Sequence, residues 1–190
     1  MKILEERIKQ DGKVLPGGIL KVNNFLNHQI DPQLMLDCGK EFAELFKHEQ
    51  IDRILTIEAS GIAPAIMAGL VMKVPVVFAK KKKPSTTGEA YTADVYSYTK
   101  NVTNTISVEK QFIQPNEHIL IIDDFMANGE AAKGMVQICK EAGATVSGIG
   151  IAITKSFQKG EQALIDAGYR VESLARIASF DDDQVHLVGE

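Results

Sequence analysis

The sequence has little cysteine, no long hydrophobic run and no surplus of positive charge. Its two cysteines, Cys38 and Cys139, lie far apart in a chain of 190 residues, and no Cys-x-x-Cys pair occurs. That excludes a disulfide scaffold and suggests reduced packing residues in a reducing compartment. The longest apolar runs fall far short of the ~20 residues needed to cross a bilayer, so no membrane partner is expected. A formal net charge of -4 gives no general attraction to nucleic acid or to anionic membranes. Residues 1–11 are charged and amphipathic rather than apolar, so no secretory signal is expected and a cytoplasmic location is. The four histidines show no metal-ligand spacing. Internal repeats and low-complexity linkers are also missing.

What is present is an ordinary globular composition, 45% apolar, in a length that suits a single domain over residues 1–190 with a core of its own. Ile3, Leu4 and Ile8 space a first helix that stops at Asp11-Gly12. Pro16-Gly17-Gly18 marks a turn before the short extended piece ILKV. Asp31-Pro32 reads as N-cap and first position of a helix to about His48, with Leu34, Cys38, Phe42, Leu45 and Phe46 as its apolar stripe. From Arg53 the pattern changes to strand, turn, helix and strand: RILTI, EASG, residues 62–72, VPVVFA. Residues 80–110 interrupt it with four lysines, Pro84, Gly88 and two alternating runs, which predicts an inserted hairpin with a flexible tip, a lid or binding loop. The pattern resumes with HILII, a loop DDFMANG, a helix over 130–142 ended by Gly143, the strand ATVSGIGIAI, a helix over 158–167 and a last strand YRVESLARI. The expected fold is α/β, a mainly parallel sheet flanked by helices on both faces, with ligands beyond the carboxyl ends of the strands.

The chemistry concentrates in residues 119–131, ILIIDDFMANGEA. Asp123 and Asp124 follow a buried apolar strand, where carboxylates are costly unless paired, solvated or used. The loop after them leads into a helix N-terminus, whose unpaired N–H groups and partial positive charge suit a phosphate. Carboxylates for hydroxyls beside a phosphate cradle describe a sugar phosphate. A capped turn that binds nothing is the plainer alternative.

This stretch resembles the diphosphoribosyl-binding motif of the type I phosphoribosyltransferases: an apolar strand, two acids, then a short loop that is usually rich in Thr and Gly. Here the loop reads Asn128-Gly129-Glu130-Ala131, and Glu130 departs from the pattern, since an acid beside a phosphate is repulsive. The likeness to the bacterial xanthine-using members of the family runs over nearly the whole chain, through LKVNNFLNHQIDP, TIEASGIAPA, VPVVFAKKKK, ILIIDDFMANGEAAKG, GIGIAITKSF and GYRVESLARI. It implies an N-terminal hood over about 1–30, a core over about 31–180 and the inserted hairpin over about 80–110. It also implies transfer of phosphoribosyl from phosphoribosyl pyrophosphate (PRPP) to an oxopurine, xanthine in particular, with Mg²⁺ held mainly by substrate oxygens and water and not by direct side-chain ligands.

The resemblance assigns roles to residues that alone would read otherwise. Asp123 and Asp124 would act on the ribose hydroxyls. Ala127, Asn128, Gly129, Glu130 and Ala131 would cradle the 5′-phosphate. Glu58, Ala59, Ser60 and Gly61 would form the pyrophosphate loop, although blindly this segment is a helix start capped by Ser60. Lys81, otherwise one of a solvated lysine run, would reach pyrophosphate across a homodimer interface. Lys155 would donate to the purine 6-oxo group and Phe157 would stack on the ring; alone they read as a surface lysine and a core aromatic. The Leu20 backbone and the Asn27 side chain would meet the 2-oxo group. A lysine donor disfavours adenine, whose 6-amino group is itself a donor. Asn27 presents either end of its amide, so a hypoxanthine or guanine enzyme stays open. Outside the enzyme class stand a PRPP-sensing purine regulator, for which no basic recognition helix is visible, and a silent ligand-binding module.

Overall fold

The short apolar runs of the sequence become the strands of one central sheet. The computed structural model describes residues 1–81, 89–97, 101–181 and 184–190. Helix α1 (Lys2–Asp11) buries Leu4 and Ile8. Strands β1 (Lys13–Leu15) and β2 (Ile19–Lys21) pair antiparallel around Gly17 and Gly18, at φ 85 and φ 70, a left-handed backbone that glycine adopts without a Cβ penalty. A π-helical turn, Asn23–Asn27, leads to α2 (Pro32–Leu45), where the Asp31 carboxylate accepts from the Leu34 N–H at 3.1 Å, the cap expected from Asp-Pro.

The core follows with β3 (Arg53–Ile57), α3 (Ile62–Met72), β4 (Val76–Ala79), the hairpin β5 (Ala90–Ser97) and β6 (Val102–Glu109), then β7 (His118–Met126), α4 (Glu130–Ala142), β8 (Thr145–Lys155), α5 (Gly160–Asp166), β9 (Val171–Asp181) and β10 (Gln184–Leu187). Among the described residues the main sheet has the order β10-β9-β8-β7-β3-β4, parallel throughout except for the antiparallel edge strand β10. Alternation along β7 splits the core. Leu120 and Ile122 pack with α1, α2 and α3, while Ile119 and Ile121 pack with α4 and the hairpin, because successive side chains of a strand face opposite ways. On the first face two glycines of β8 make room for α2: a Cβ at Gly148 would stand 2.3 Å from the Phe46 ring, and one at Gly150 2.8 Å from that of Phe42. Cys38 and Cys139 are both buried and unpaired, and burial pushes each thiol up to about 12. Among the described residues no helix is long and apolar enough to cross a membrane.

The fold departs from the sequence reading in three places and adds a contact at a fourth. Asp123, Asp124, Phe125 and Met126, expected in a loop, continue β7, because the eleven-residue β8 extends alongside to pair Asp123 with Ile151, Phe125 with Ile153 and Met126 with Thr154. The last parallel strand runs on to Asp181 and is followed by β10, a short polar strand with one buried residue, Leu187, too weakly patterned to stand out. The helix expected over 158–167 is shorter, starting at Gly160. Finally, the inserted hairpin is seated on α4: at Gly134, a Cβ would meet Val95 at 2.6 Å and Ile106 at 3.2 Å. Its lysines Lys82 and Lys83, Pro84, Gly88 and residues 98–100 of its turn lie outside the described residues.

Candidate active site

The chain leaves β3 toward β4 on one side and β7 toward β8 and β9 on the other. The two strands at which the order reverses lie side by side, and their carboxyl ends open into a cleft of about 560 Å³. Such a reversal leaves a crevice that ligands of open α/β sheets use. The cleft wall brings together Glu58, Ala59, Ser60, Gly61, Lys81, Asp123, Asp124, Ala127, Asn128, Gly129, Glu130, Ala131 and Lys155.

At its floor Asp123 is only 3% exposed. Its Oδ1 accepts from the Asp124 backbone N–H at 2.9 Å. Burial, and after it the Asp124 carboxylate, pushes the Asp123 carboxyl well above the ordinary 3.8, with the Lys81 ammonium pulling the other way. A raised acid favours the folded state below the unfolded value, and that contribution is lost as pH rises through the folded one. Gly61 has to be glycine here: a Cβ would stand 2.5 Å from Thr56 Oγ1 and 2.8 Å from Asp123 Oδ1. Asp124 is half-buried and turned toward the hood, where Asn27 Nδ2 donates to its Oδ2 at 3.2 Å and to Ser60 Oγ at 3.4 Å. One amide thus ties the hood, the acidic pair and the Glu58–Gly61 loop together.

That loop is held by its first residue. Glu58 Oε1 accepts from the Lys81 backbone N–H at 2.6 Å, which fixes the lysine segment beside the loop. The Glu58–Ala59 peptide is cis. Ser60 does not cap α3, as its plain reading had it; α3 starts from Gly61 with no side-chain cap, because the Ser60 hydroxyl faces Asn27.

Opposite lies the turn into α4. Gly129 takes φ 77, and no side chain caps the helix, leaving its first N–H groups to a ligand. The turn is backed by Gly160, whose N–H donates to Ala127 O at 3.0 Å and whose Cβ, if it had one, would stand 2.5 Å from Ala127 O and from Gly129 N. Glu130 has its counter-ion one turn on. Lys133 Nζ sits 2.9 Å from Glu130 Oε1 and donates to Asn128 O at 3.1 Å, so the acid has its counter-ion beside the helix N-terminus.

At the far end Lys155 closes β8 and donates to Gly18 O at 2.9 Å. Burial lowers its pKa. Three expected base contacts stand off the cleft wall. Leu20 is buried in the core, and Gly17, Gly18 and Ile19 line the cleft in its stead. Asn27 acts through Asp124 and Ser60. Phe157 is 49% exposed, its ring edge-on to Phe180 with centroids 5.6 Å apart. Sequence reasoning passed over Tyr96 and Asn104 of the hairpin and Gln158, all on the wall, and Lys133. The Pro-Gly-Gly turn and the Glu130–Lys133 spacing were visible signals; the hairpin contacts depend on docking to α4 and were not.

No family model matches the chain. A curated xanthine phosphoribosyltransferase of Ligilactobacillus salivarius is 62% identical over 191 residues, spanning 100% of each chain. That of Lactobacillus johnsonii is 59% identical over the same span, again 100% of each. Among solved structures, the adenine phosphoribosyltransferase of Trypanosoma brucei in complex with AMP, pyrophosphate and ribose-5-phosphate has a TM-score of 0.79 at 20% identity, covering 95% of this chain and 82% of that one; at this identity the likeness is one of fold.

The Glu130–Lys133 pair makes a measurable demand. Lys133→Met is expected to weaken ribose 5-phosphate binding roughly two- to fivefold, the scale of an exposed charge pair, as read by calorimetry. Adding Glu130→Gln should restore most of the loss. Equal affinity in wild type and Lys133→Met would contradict a neutralising role.

Proposed function

The chain belongs to the xanthine phosphoribosyltransferase family, and from that premise we propose how its cleft performs the transfer. The enzyme is a pentosyltransferase of purine salvage: the purine N9–C1′ bond forms, the C1′–O bond to pyrophosphate breaks, and XMP and pyrophosphate result. The observation that carries the reading is the convergence, at the strand-order reversal, of the acidic pair, an uncapped helix N-terminus, the Glu58–Gly61 loop and Lys155 on one cleft.

Positive charge builds on the sugar in such a displacement and negative charge on the leaving group, so placement and electrostatics do most of the work. Asp123 and Asp124 take the ribose hydroxyls and face the developing cation. Ala127, Asn128, Gly129, Glu130 and Ala131 hold the 5′-phosphate through backbone N–H groups, with Glu130 neutralised by Lys133. Ala59, Ser60 and Gly61 turn toward pyrophosphate, Glu58 holds the Lys81 segment in place, and Lys81, at the rim of the cleft, reaches the pyrophosphate of the neighbouring subunit. Among the described residues no cluster of three His, Cys, Asp or Glu side chains could cage a metal. A divalent cation fits this donor set only as Mg²⁺ does, carried by substrate oxygens and water, with the half-buried Asp124 as the carboxylate it would face; it would supply charge neutralisation of the pyrophosphate. We place this PRPP chemistry in the cytoplasm.

Lys155 already offers its ammonium to a carbonyl oxygen, that of Gly18, and the purine 6-oxo group takes that place. Phe157 turns from its edge contact with Phe180 to stack on the base, and the Leu20 backbone and Asn27 close over the 2-oxo group. One observation keeps the guanine and hypoxanthine reading in view: the Asn27 N–H groups are engaged with Asp124 and Ser60, so donation to a 2-oxo group means releasing one of them.

Supply of PRPP, Mg²⁺ and each of xanthine, guanine, hypoxanthine and adenine separately tests the reading. We expect kcat/KM to be highest for xanthine and lowest for adenine, whose 6-amino group leaves Lys155 unpaired at ~1–3 kcal/mol, roughly 5- to 150-fold. Preference for guanine or hypoxanthine would overturn the base assignment. Tight PRPP binding with no turnover of any purine would favour a sensor.

We also propose a homodimer through α3 and β4. Helix α3, IAPAIMAGLVM, carries no charged residue and leaves Ile66 50% and Leu70 66% exposed, with Phe78 40% exposed on the edge strand β4. An apolar face of this kind is normally covered. β4 ends at Ala79 and Lys80 and Lys81 follow it directly, so a partner seated there lies beside Lys81. Ile66→Asp with Leu70→Asp should give a monomer in sedimentation. Loss of activity in that monomer is the outcome for a Lys81 that serves the partner's cleft, retained activity for one that serves its own. A wild type that is monomeric at micromolar concentration would contradict the dimer.

A further inference from the structure

The end of β8 and the turn after it hold Lys155 and Phe157, assigned above to the base, and Gln158, which has no role so far. Gln158 lines the cleft, yet its Oε1 is buried and meets no hydrogen-bond donor among the described residues. The other buried side-chain atoms without a hydrogen bond there belong to Thr56, Ser156 and Arg7, the last in an ion pair with Asp11, and none of the three lines the cleft. A buried acceptor without a donor is costly, and native structures rarely leave one without reason. The local turn does not require glutamine. Its closing bond, from the Gln158 backbone N–H to Lys155 O at 2.9 Å, is available to any residue except proline.

The place of Gln158 says which donor is missing. Three residues before it stands Lys155, the 6-oxo contact. Two residues after it stands Gly160, locked to the phosphate turn through Ala127 O at 3.0 Å. The segment therefore runs from the 6-oxo end of the base to the 5′-phosphate. Along that edge of a purine, the atom between the 6-oxo group and the ribose-bearing N9 is N7. We infer that Gln158 Oε1 accepts a hydrogen bond from N7–H of the incoming oxopurine. This inference rests on the base-transfer reading above and assigns a residue to it.

The contact would matter for reactivity as well as for affinity. A neutral oxopurine carries one imidazole N–H, on N7 or on N9. Holding it on N7 leaves the N9 lone pair free to attack C1′. As the N9–C1′ bond forms, the electron pair of the C1′–O bond leaves with pyrophosphate, and the N7 proton passes to water, because a neutral amide is not a base. Gln158 would select the tautomer and take no proton.

The test uses the full-length enzyme with PRPP and Mg²⁺, and compares xanthine with 7-deazaxanthine, which keeps both oxo groups and lacks the N7–H. Wild type should bind xanthine about tenfold more tightly than 7-deazaxanthine, the worth of one such bond. Gln158→Leu should bind both equally, at the 7-deazaxanthine level, with an unchanged KM for PRPP and an unchanged unfolding temperature. Gln158→Glu, which keeps an acceptor at the same reach, should keep the preference. If wild type discriminates less than twofold, or if Gln158→Leu weakens both bases equally or keeps the wild-type preference, the assignment of Gln158 is overturned while xanthine turnover stands. Absence of xanthine turnover in wild type would instead remove the reading on which it rests.

Discussion

Burying the Asp123 carboxyl at the carboxyl end of β7 constrains everything around it. A carboxyl group 3% exposed has to be neutralised, hydrogen-bonded or both. The Asp124 N–H supplies one bond, Gly61 gives way by lacking a Cβ, and the Lys81 ammonium offsets part of the penalty. Asp124 is held in turn by Asn27, which also reaches Ser60. The two acids stand in different settings: Asp123 is buried and reluctant to ionise, and Asp124 is half-buried and tied to the hood.

The same logic explains how the turn before α4 carries an acid. An acid at Glu130 is tolerated because Lys133 lies one helical turn on, near both Glu130 and the Asn128 carbonyl. Gly160 backs the loop so closely that no side chain fits. The loop owes its shape to α5 as well as to α4, and the segment between Lys155 and Gly160 links the end of β8 to the turn before α4.

Much of this was legible in the chain. Asp31-Pro32 announced its cap, Gly143 its helix end, and the apolar runs their places in a parallel sheet, since each depends on local chemistry. The ILII-Asp-Asp stretch stood out, and both acids do line the cleft, although its extension into strand was not legible, because that depends on how far β8 continues beside it. Lys133 was readable from its spacing to Glu130. What the sequence concealed depends on tertiary contact: the seating of the hairpin on α4, the replacement of Leu20 by Gly17, Gly18 and Ile19 on the cleft wall, the bridge made by Asn27, and the unpaired oxygen of Gln158. No local pattern encodes which loops meet across a cleft.

The arrangement stands or falls on Asp123 being a buried acid that belongs to the PRPP site. Carbon-detected NMR of its carboxyl group in the full chain, titrated with and without PRPP and Mg²⁺, tests this directly. The carboxyl should titrate well above 3.8 and its resonance should move when PRPP binds. A midpoint at or below 3.8, or a resonance indifferent to PRPP, would contradict the placement of the ribose at the end of β7.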